Sequence, residues 1–100
     1  MIIKPLNQSG FLIKPPESQK IKSGLVVLQK GEEIGEHITK NKEEVIVILQ
    51  GRALVEIEGK PAQTVEANNF VFIPENKKHN LKNESPEILK YVYVVAPINN

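Results

Sequence analysis

The chain contains two histidines, and each stands at the end of an apolar segment that predicts a β-strand. Thr39 and Glu44 follow His37, and His79 lies further along the chain. Two imidazoles and one carboxylate are nitrogen and oxygen donors that suit Fe(II), Mn, Ni, Co or Zn. Three protein donors leave coordination positions open for water, substrate or oxygen. This pattern therefore indicates a reactive metal centre rather than a closed structural one.

Residues 31–51 must position the first of these donors. Alternate residues of an extended chain share a face, so His37 and Thr39 point the same way. The polar residues 40–42 predict a chain reversal, and Glu44 begins the returning strand. We therefore expect a β-hairpin that brings His37, Thr39 and Glu44 together. The alternative is an ordinary one, because a single His in a strand is more often a packed or surface residue than a metal ligand.

The rest of the chain predicts an all-β domain. Short apolar segments recur roughly every eight to twelve residues with Gly, Pro or Asn between them, and no stretch has a helical period. One hundred residues predict one domain, with residues 1–23 as an N-terminal arm and residues 24–97 as a barrel. The strand candidates are residues 11–14, 24–29, 33–39, 44–50, 53–58, 63–66, 70–73, 79–82 and 88–95.

Composition narrows the range of partners. The net charge is +1, and 13 basic and 12 acidic residues are mixed along the chain, so nucleic acid is not an expected partner. No apolar run is long enough to span a membrane. The absence of cysteine excludes thiolate chemistry, disulfides and cysteine-zinc sites. The start of the sequence lacks the apolar core of a signal peptide, so we expect a cytoplasmic location.

Several strand candidates are apolar on both faces, which predicts a second packing surface. Residues 45–49 and 70–73 can fill a barrel with one face only. The other face needs cover from the N-terminal strands or from a second subunit. Because a symmetric dimer is the commonest oligomer, we expect a homodimer.

Two segments of the chain resemble the two sequence motifs of the cupin superfamily. In Gly31–Gly51, the spacing of Gly, His, Glu and Gly in the first motif is met throughout, and Thr39 stands where the family has its second His. In Asn68–Asn83, Pro74 and His79 meet the spacing of the second motif. Asn68 and Asn76 stand where the family has Gly. Since Asn tolerates a positive φ better than most residues, we expect both turns to survive.

The resemblance implies a small jelly-roll barrel, the double-stranded β-helix of cupins. It also implies that His37, Glu44 and His79 bind a divalent transition metal, with Thr39 in place of the missing fourth ligand. A neutral hydroxyl is a poor ligand, so water would take that position. The loss of one His also resembles cupins that have given up the metal and bind a ligand without it.

Four further residues are candidates for the lining of a pocket beside these donors. Gln50 shares the face of Glu44 in a regular strand, and Tyr91 and Tyr93 share a face of the last strand. Phe72 belongs to a buried strand candidate and would form pocket wall or core. Each also has an ordinary role: a polar strand end for Gln50, and packing with a wet hydroxyl for the tyrosines.

Three kinds of function are compatible with these residues. The first is a metal-dependent dioxygenase, isomerase or lyase that acts on a small organic ligand. The second is a metal-free binding or sensor protein for a sugar or small carboxylate. The third is a structural dimer with a vestigial site. A complete set of metal donors would favour the metal-dependent enzyme. A wet cavity without metal would favour the binding protein, and a cavity filled by side chains would favour the structural dimer.

Overall fold

The computed structural model describes residues 1–98. All regular elements in this range are β-strands, and it holds no helix that is long and apolar enough to span a membrane. The strands are β1 Gly10–Ile13, β2 Lys22–Leu28, β3 His37–Ile38, β4 Lys42–Gln50, β5 Arg52–Ile57, β6 Gln63–Glu66, β7 Phe70–Ile73, β8 Lys78–Lys82 and β9 Leu89–Pro97.

These strands form two antiparallel sheets. The larger sheet has the order β1-β2-β9-β4-β7, and the smaller has the order β3-β8-β5-β6. From β2 onward the chain crosses repeatedly between the two sheets, so neighbours in space are often distant in sequence. This is the double-stranded β-helix that the sequence predicts, and the all-β prediction is confirmed.

The core lies between the two sheets and is built by the alternation of side chains along each strand. In the larger sheet, Ile48 stands opposite Tyr91 and Ile46 opposite Tyr93, with the isoleucines at most 1 % exposed. The smaller sheet contributes the buried Ala53, Val55 and Leu81. The core is therefore aliphatic at its centre, and the buried Glu44 and His79 lie toward one end of it.

Two Asn residues occupy the turns where the related motif carries Gly. Asn68 has a φ of 68° and Asn76 a φ of 60°, both in the left-handed region. The side-chain oxygen of Asn76 also accepts a hydrogen bond from the amide of Asn41 at 3.1 Å. The expectation that both turns survive with Asn is confirmed.

The strand predicted for residues 33–39 is wrong over most of its length. Only His37–Ile38 forms a strand, and Glu33 makes an isolated bridge to Lys82. Gly35 interrupts the pattern because its φ of 103° lies outside the extended conformation that a ladder needs. The Gly35 amide donates to the side-chain oxygen of Asn80 at 3.0 Å instead of joining a strand partner.

The predicted hairpin is also wrong. The chain does turn at Asn41, which has a φ of 56°, but the strands on either side belong to different sheets. Strand β3 pairs with β8, whereas β4 pairs with β7 and β9. Thr39 and Glu44 therefore approach each other across the interior of the barrel, not along a two-stranded ladder.

Candidate metal centre

Three donor side chains converge between the two sheets. His37 and His79 stand directly opposite each other on β3 and β8, with ring centroids 4.2 Å apart. Glu44 enters from β4 of the facing sheet. One nitrogen or oxygen donor atom from each of the three residues lies within 4.8 Å of the others. Ligand atoms that each lie about 2 Å from one ion are at most about 4 Å apart, so the three donors are close to the spacing of a metal site and would need only small side-chain movements to share an ion.

Each imidazole is oriented by a contact with the backbone carbonyl two residues before it. The Nδ1 atom of His37 lies 2.8 Å from the carbonyl oxygen of Gly35, and that of His79 lies 2.9 Å from the carbonyl oxygen of Lys77. A carbonyl only accepts, so Nδ1 carries the hydrogen in each ring. In the neutral ring, Nε2 then keeps its lone pair for a metal. Metal-binding histidines are typically oriented in this way, and the donor set fits a divalent transition metal.

Glu44 and His79 form a buried pair. His79 Nε2 lies 3.2 Å from Glu44 Oε1, and the two residues are 2 % and 7 % exposed. Burial lowers the pKa of His79. The hydrogen bonds to Glu44 and to the Lys77 carbonyl, together with the charge of Glu44, raise the pKa by more than burial lowers it. The net effect is a pKa above the usual value for histidine, so His79 holds its proton more tightly than a free imidazole does. A metal must displace that proton, and metal uptake should weaken as the pH falls.

Thr39 lies just beyond β3 and is half-buried. Its hydroxyl stands 3.4 Å from Glu44 Oε1, which is a long contact but places the side chain beside the donors. A neutral hydroxyl binds divalent metals weakly. The Thr39 side of the centre is therefore the side on which water or a ligand can approach.

A cavity of about 650 Å³ adjoins the donors. The structure places Tyr91 and Tyr93 in its wall, and Tyr91 is 3 % exposed. Burial raises the pKa of both phenols, and the charge of Glu44 raises it further. Both hydroxyls therefore stay protonated at neutral pH and can donate hydrogen bonds.

The structure does not place Gln50 in the cavity wall. The register between β4 and β9 slips between Ile48 and Gln50, so the alternation that begins at Glu44 is interrupted. Gln50 is exposed as a result. The prediction for Gln50 assumed a regular strand, and the irregularity in the ladder overturns it.

Phe72 is also outside the cavity. It stands opposite Val45 on the outer face of the larger sheet and is 47 % exposed. Its neighbour Ile73 is opposite Glu44 and only 1 % exposed, so Ile73 takes the inner position. An apolar run of four residues does not reveal which of its two faces points into the barrel. The prediction placed Phe72 on the inner face, whereas Phe72 lies on the outer face.

Sequence reasoning missed several residues of the cavity wall. Lys22 stands on the face of β2 that also carries Gly24 and Val26, and period-two alternation along β2 could have found it. By the same alternation Lys42 shares the face of Glu44 on β4, and Ile34, Ile38 and Lys40 lie close to His37 in sequence. Phe11 comes from the distant β1, and no local signal joins it to the donors.

Comparison with known protein families identifies one match. A family model described as the cupin domain matches residues 24–95, which is most of the chain. A curated relative, polyketide synthase CurC of Streptomyces cyaneus, is 28 % identical over 75 residues. The match covers 75 % of this chain and 48 % of that protein, so the chain spans about half the length of the curated relative.

Solved structures share the fold at low sequence identity. The TT1209 structure of Thermus thermophilus has a TM-score of 0.83 at 21 % identity, covering 97 % of this chain and 98 % of that one. The Cnp3 cupin domain of Schizosaccharomyces pombe has a TM-score of 0.80 at 20 % identity, covering 89 % and 63 %. The EutQ protein of Clostridium difficile has a TM-score of 0.72 at 20 % identity, covering 92 % and 68 %. These likenesses show the fold alone.

Proposed function

The chain belongs to the cupin domain family, and we propose that it binds a divalent transition metal at His37, Glu44 and His79 and acts there on a small organic ligand. The observation that carries the proposal is the orientation of the two imidazoles. Each ring is held by a backbone carbonyl at Nδ1, which leaves Nε2 available beside the Glu44 carboxylate. Two rings held in the same way next to one buried carboxylate are explained by a shared ion.

The chemistry divides between the metal and the side chains around it. A bound divalent metal supplies Lewis-acid or redox chemistry toward a ligand oxygen, as in dioxygenase-, isomerase- or lyase-like reactions. His37, Glu44 and His79 hold the ion, and the Thr39 side leaves room for the ligand. The Tyr91 hydroxyl donates a hydrogen bond to a ligand oxygen, because the phenol is protonated and faces the cavity. The similarity to the Streptomyces cyaneus protein, a polyketide synthase, supports an organic ligand.

A second candidate function is metal-free binding of a sugar or small carboxylate. Thr39 favours it, because a site with one weak donor in place of an imidazole holds a metal less tightly. Without a metal the contact between His79 Nε2 and Glu44 Oε1 would remain, and the cavity would bind its ligand by hydrogen bonds alone. The two functions make opposite predictions about metal content.

Metal analysis decides between them. The purified protein is stripped with a chelator, loaded in turn with Fe(II), Mn(II), Ni(II), Co(II) and Zn(II), dialysed and measured by elemental analysis. We expect about one metal ion per chain for at least one of these metals. No retained metal under any loading would reject the metal-dependent function and leave the metal-free alternative.

We predict that Thr39→His tightens metal binding about tenfold or more. The new imidazole would supply a fourth protein donor on the side where Thr39 now faces Glu44. Titration calorimetry with Zn(II) or Ni(II) measures the change. Thr64→His is the matched control, because Thr64 is exposed on β6 and lies outside the donor group. Equal gains in both variants would show that the added His binds metal on its own.

We also propose that the chain forms a homodimer through the outer face of its larger sheet. This face carries valines of β4 and β9 with Phe70 and Phe72, which are 64 % and 47 % exposed. Strand β7, which carries both phenylalanines, is also an edge of the sheet. A second copy can cover the face and the edge together by pairing around a two-fold axis, and large exposed apolar patches are uncommon on monomers.

The dimer prediction is tested by light scattering. We expect a mass twice the 11.2 kDa of one chain, and 11.2 kDa for the double variant Phe70→Lys with Phe72→Lys. Two charges on the apolar face would oppose their copies across the interface. Ile3→Lys is the control, because Ile3 is 81 % exposed and precedes the first strand. A wild-type mass of 11.2 kDa at micromolar concentration would contradict the dimer.

A further inference from the structure

The walls of the cavity are mainly apolar. Phe11 of β1, Ile34 of the loop before β3 and Ile38 of β3 line it and remain 56 %, 44 % and 43 % exposed. Side chains of this kind gain stability when a ligand covers them. At about 650 Å³, the cavity has the volume of a small-molecule site. The volume and the mainly apolar lining of the cavity suit a ligand with an apolar body.

The charges around the cavity are mostly positive. Lys22, Lys40 and Lys42 line it, and Glu44 is the acidic residue in its wall. Glu44 is already engaged by His79 and Thr39. Within residues 1–98, none of the three lysines forms an ion pair with a carboxylate. The lysines therefore leave uncompensated positive charge at the cavity.

Tyr91 adds a hydrogen-bond donor that lacks a protein partner. Its side chain is 3 % exposed, and its hydroxyl makes no hydrogen bond to any residue of the described range 1–98. No fully buried polar side-chain atom in that range is without a partner, so the hydroxyl opens to the cavity that Tyr91 lines. A donor in such a position usually meets water or a ligand.

Tyr93 stands on the same face of β9 as Tyr91. Its ring lies over Gly24, where an added Cβ atom would come within 2.6 Å of the ring, so the absence of a side chain at Gly24 leaves the room that the ring occupies. Both phenols line the cavity and give its mainly apolar wall two polar groups.

From these observations we infer the ligand class of the proposed site: a small anion with an apolar, ring-sized body, such as an aromatic carboxylate. The inference rests on the proposed function in that it uses the same cavity beside the metal donors. The apolar body lies against Phe11, Ile34 and Ile38. An anionic group is attracted by the lysines, and an oxygen of the ligand accepts the Tyr91 hydrogen bond. A neutral sugar fits these walls poorly, because most of its hydroxyls would lose their hydrogen bonds to water.

The test compares two probes of the same shape on metal-free protein. Binding of 1-naphthoate and of its neutral analogue 1-naphthamide is measured by titration calorimetry in low salt after treatment with a chelator. We expect naphthoate to bind about tenfold more tightly, because the two probes differ chiefly in charge. Equal affinities, tighter binding of the amide, or no binding of either probe at millimolar concentration would overturn the inference.

Substitutions of the lysines test which of them recognise the carboxylate of naphthoate. Lys22→Met should weaken naphthoate about fivefold and leave naphthamide unchanged, since Met keeps most of the length of the side chain and removes the charge. Lys42→Met is a second variant in case Lys22 is needed for folding. Lys30→Met is the matched control, because Lys30 is exposed in a turn outside the cavity. A loss of affinity for both probes in Lys22→Met would contradict recognition of the charge.

The outcomes separate this inference from the proposed function. Selection of naphthoate by a protein that takes up no metal would support the ligand class and reject the metal-dependent function. Equal binding of both probes by a protein that does take up metal would reject the ligand class alone. Because the probes are measured without metal, neither result depends on the other.

Discussion

His79→Ala is expected to abolish stable metal binding, with affinity lowered roughly 100-fold or more. The variant loses one of two imidazoles that converge on the Glu44 carboxylate, and only His37 and Glu44 remain as strong donors. Elemental analysis after loading and dialysis should find about one ion per chain in the wild type and almost none in the variant. Circular dichroism must show that the variant still folds.

A neighbouring pair of carboxylates supplies the control for this prediction. Glu44→Gln should lose metal as His79→Ala does, because an amide oxygen carries no charge to offset the ion. Glu43→Gln should keep it, since Glu43 is exposed on the opposite face of the same strand. Unchanged metal content in His79→Ala, or equal losses in both Glu variants, would place the metal elsewhere on the chain.

Gly51→Ala is expected to destabilise the fold by about 3 kcal/mol or more. Gly51 joins β4 to β5 with a φ of 76°, a conformation that costs an L-residue about 1–2 kcal/mol. An added Cβ would also stand 2.3 Å from the backbone oxygen of Ile88 and 3.2 Å from the Cα of Leu89. Backbone atoms cannot move aside as a flexible side chain can, so the contact should strain the start of β9. Urea denaturation measures the loss.

Gly59→Ala isolates the contribution of the contact. Gly59 has a similar φ of 81°, but nothing lies within 4 Å of the position its Cβ would take. We expect this variant to lose only about 1 kcal/mol, the cost of the left-handed backbone. If both variants lost the same amount, the approach of Ile88 would have no effect and strain in the backbone would explain the whole loss.

Local pattern was sufficient to predict most of the strands. The segments 63–66 and 70–73 are strands with the predicted bounds, because β-branched and aromatic residues between turn formers favour an extended chain whatever lies beyond them. The turns at Asn68 and Asn76 were predictable for the same reason, since the tolerance of Asn for a positive φ is a property of one residue. His37, Glu44 and His79 were predicted as donors from their types and spacing together with the resemblance to the cupin motifs, and the structure brings the three side chains together.

By itself, then, the sequence determined most of the extended segments and several of the turns, since these depend on neighbours along the chain, and it predicted which side chains could bind a metal. Only the tertiary structure decided which strands pair and which face is inside. It placed β3 and β4 in different sheets, broke the alternation before Gln50 and turned Phe72 outward. It also brought Phe11 of β1 and Val95 of β9 to the cavity of the donors. Strand pairing joins residues that are distant in sequence, and its outcome depends on burying the apolar faces of both sheets at once.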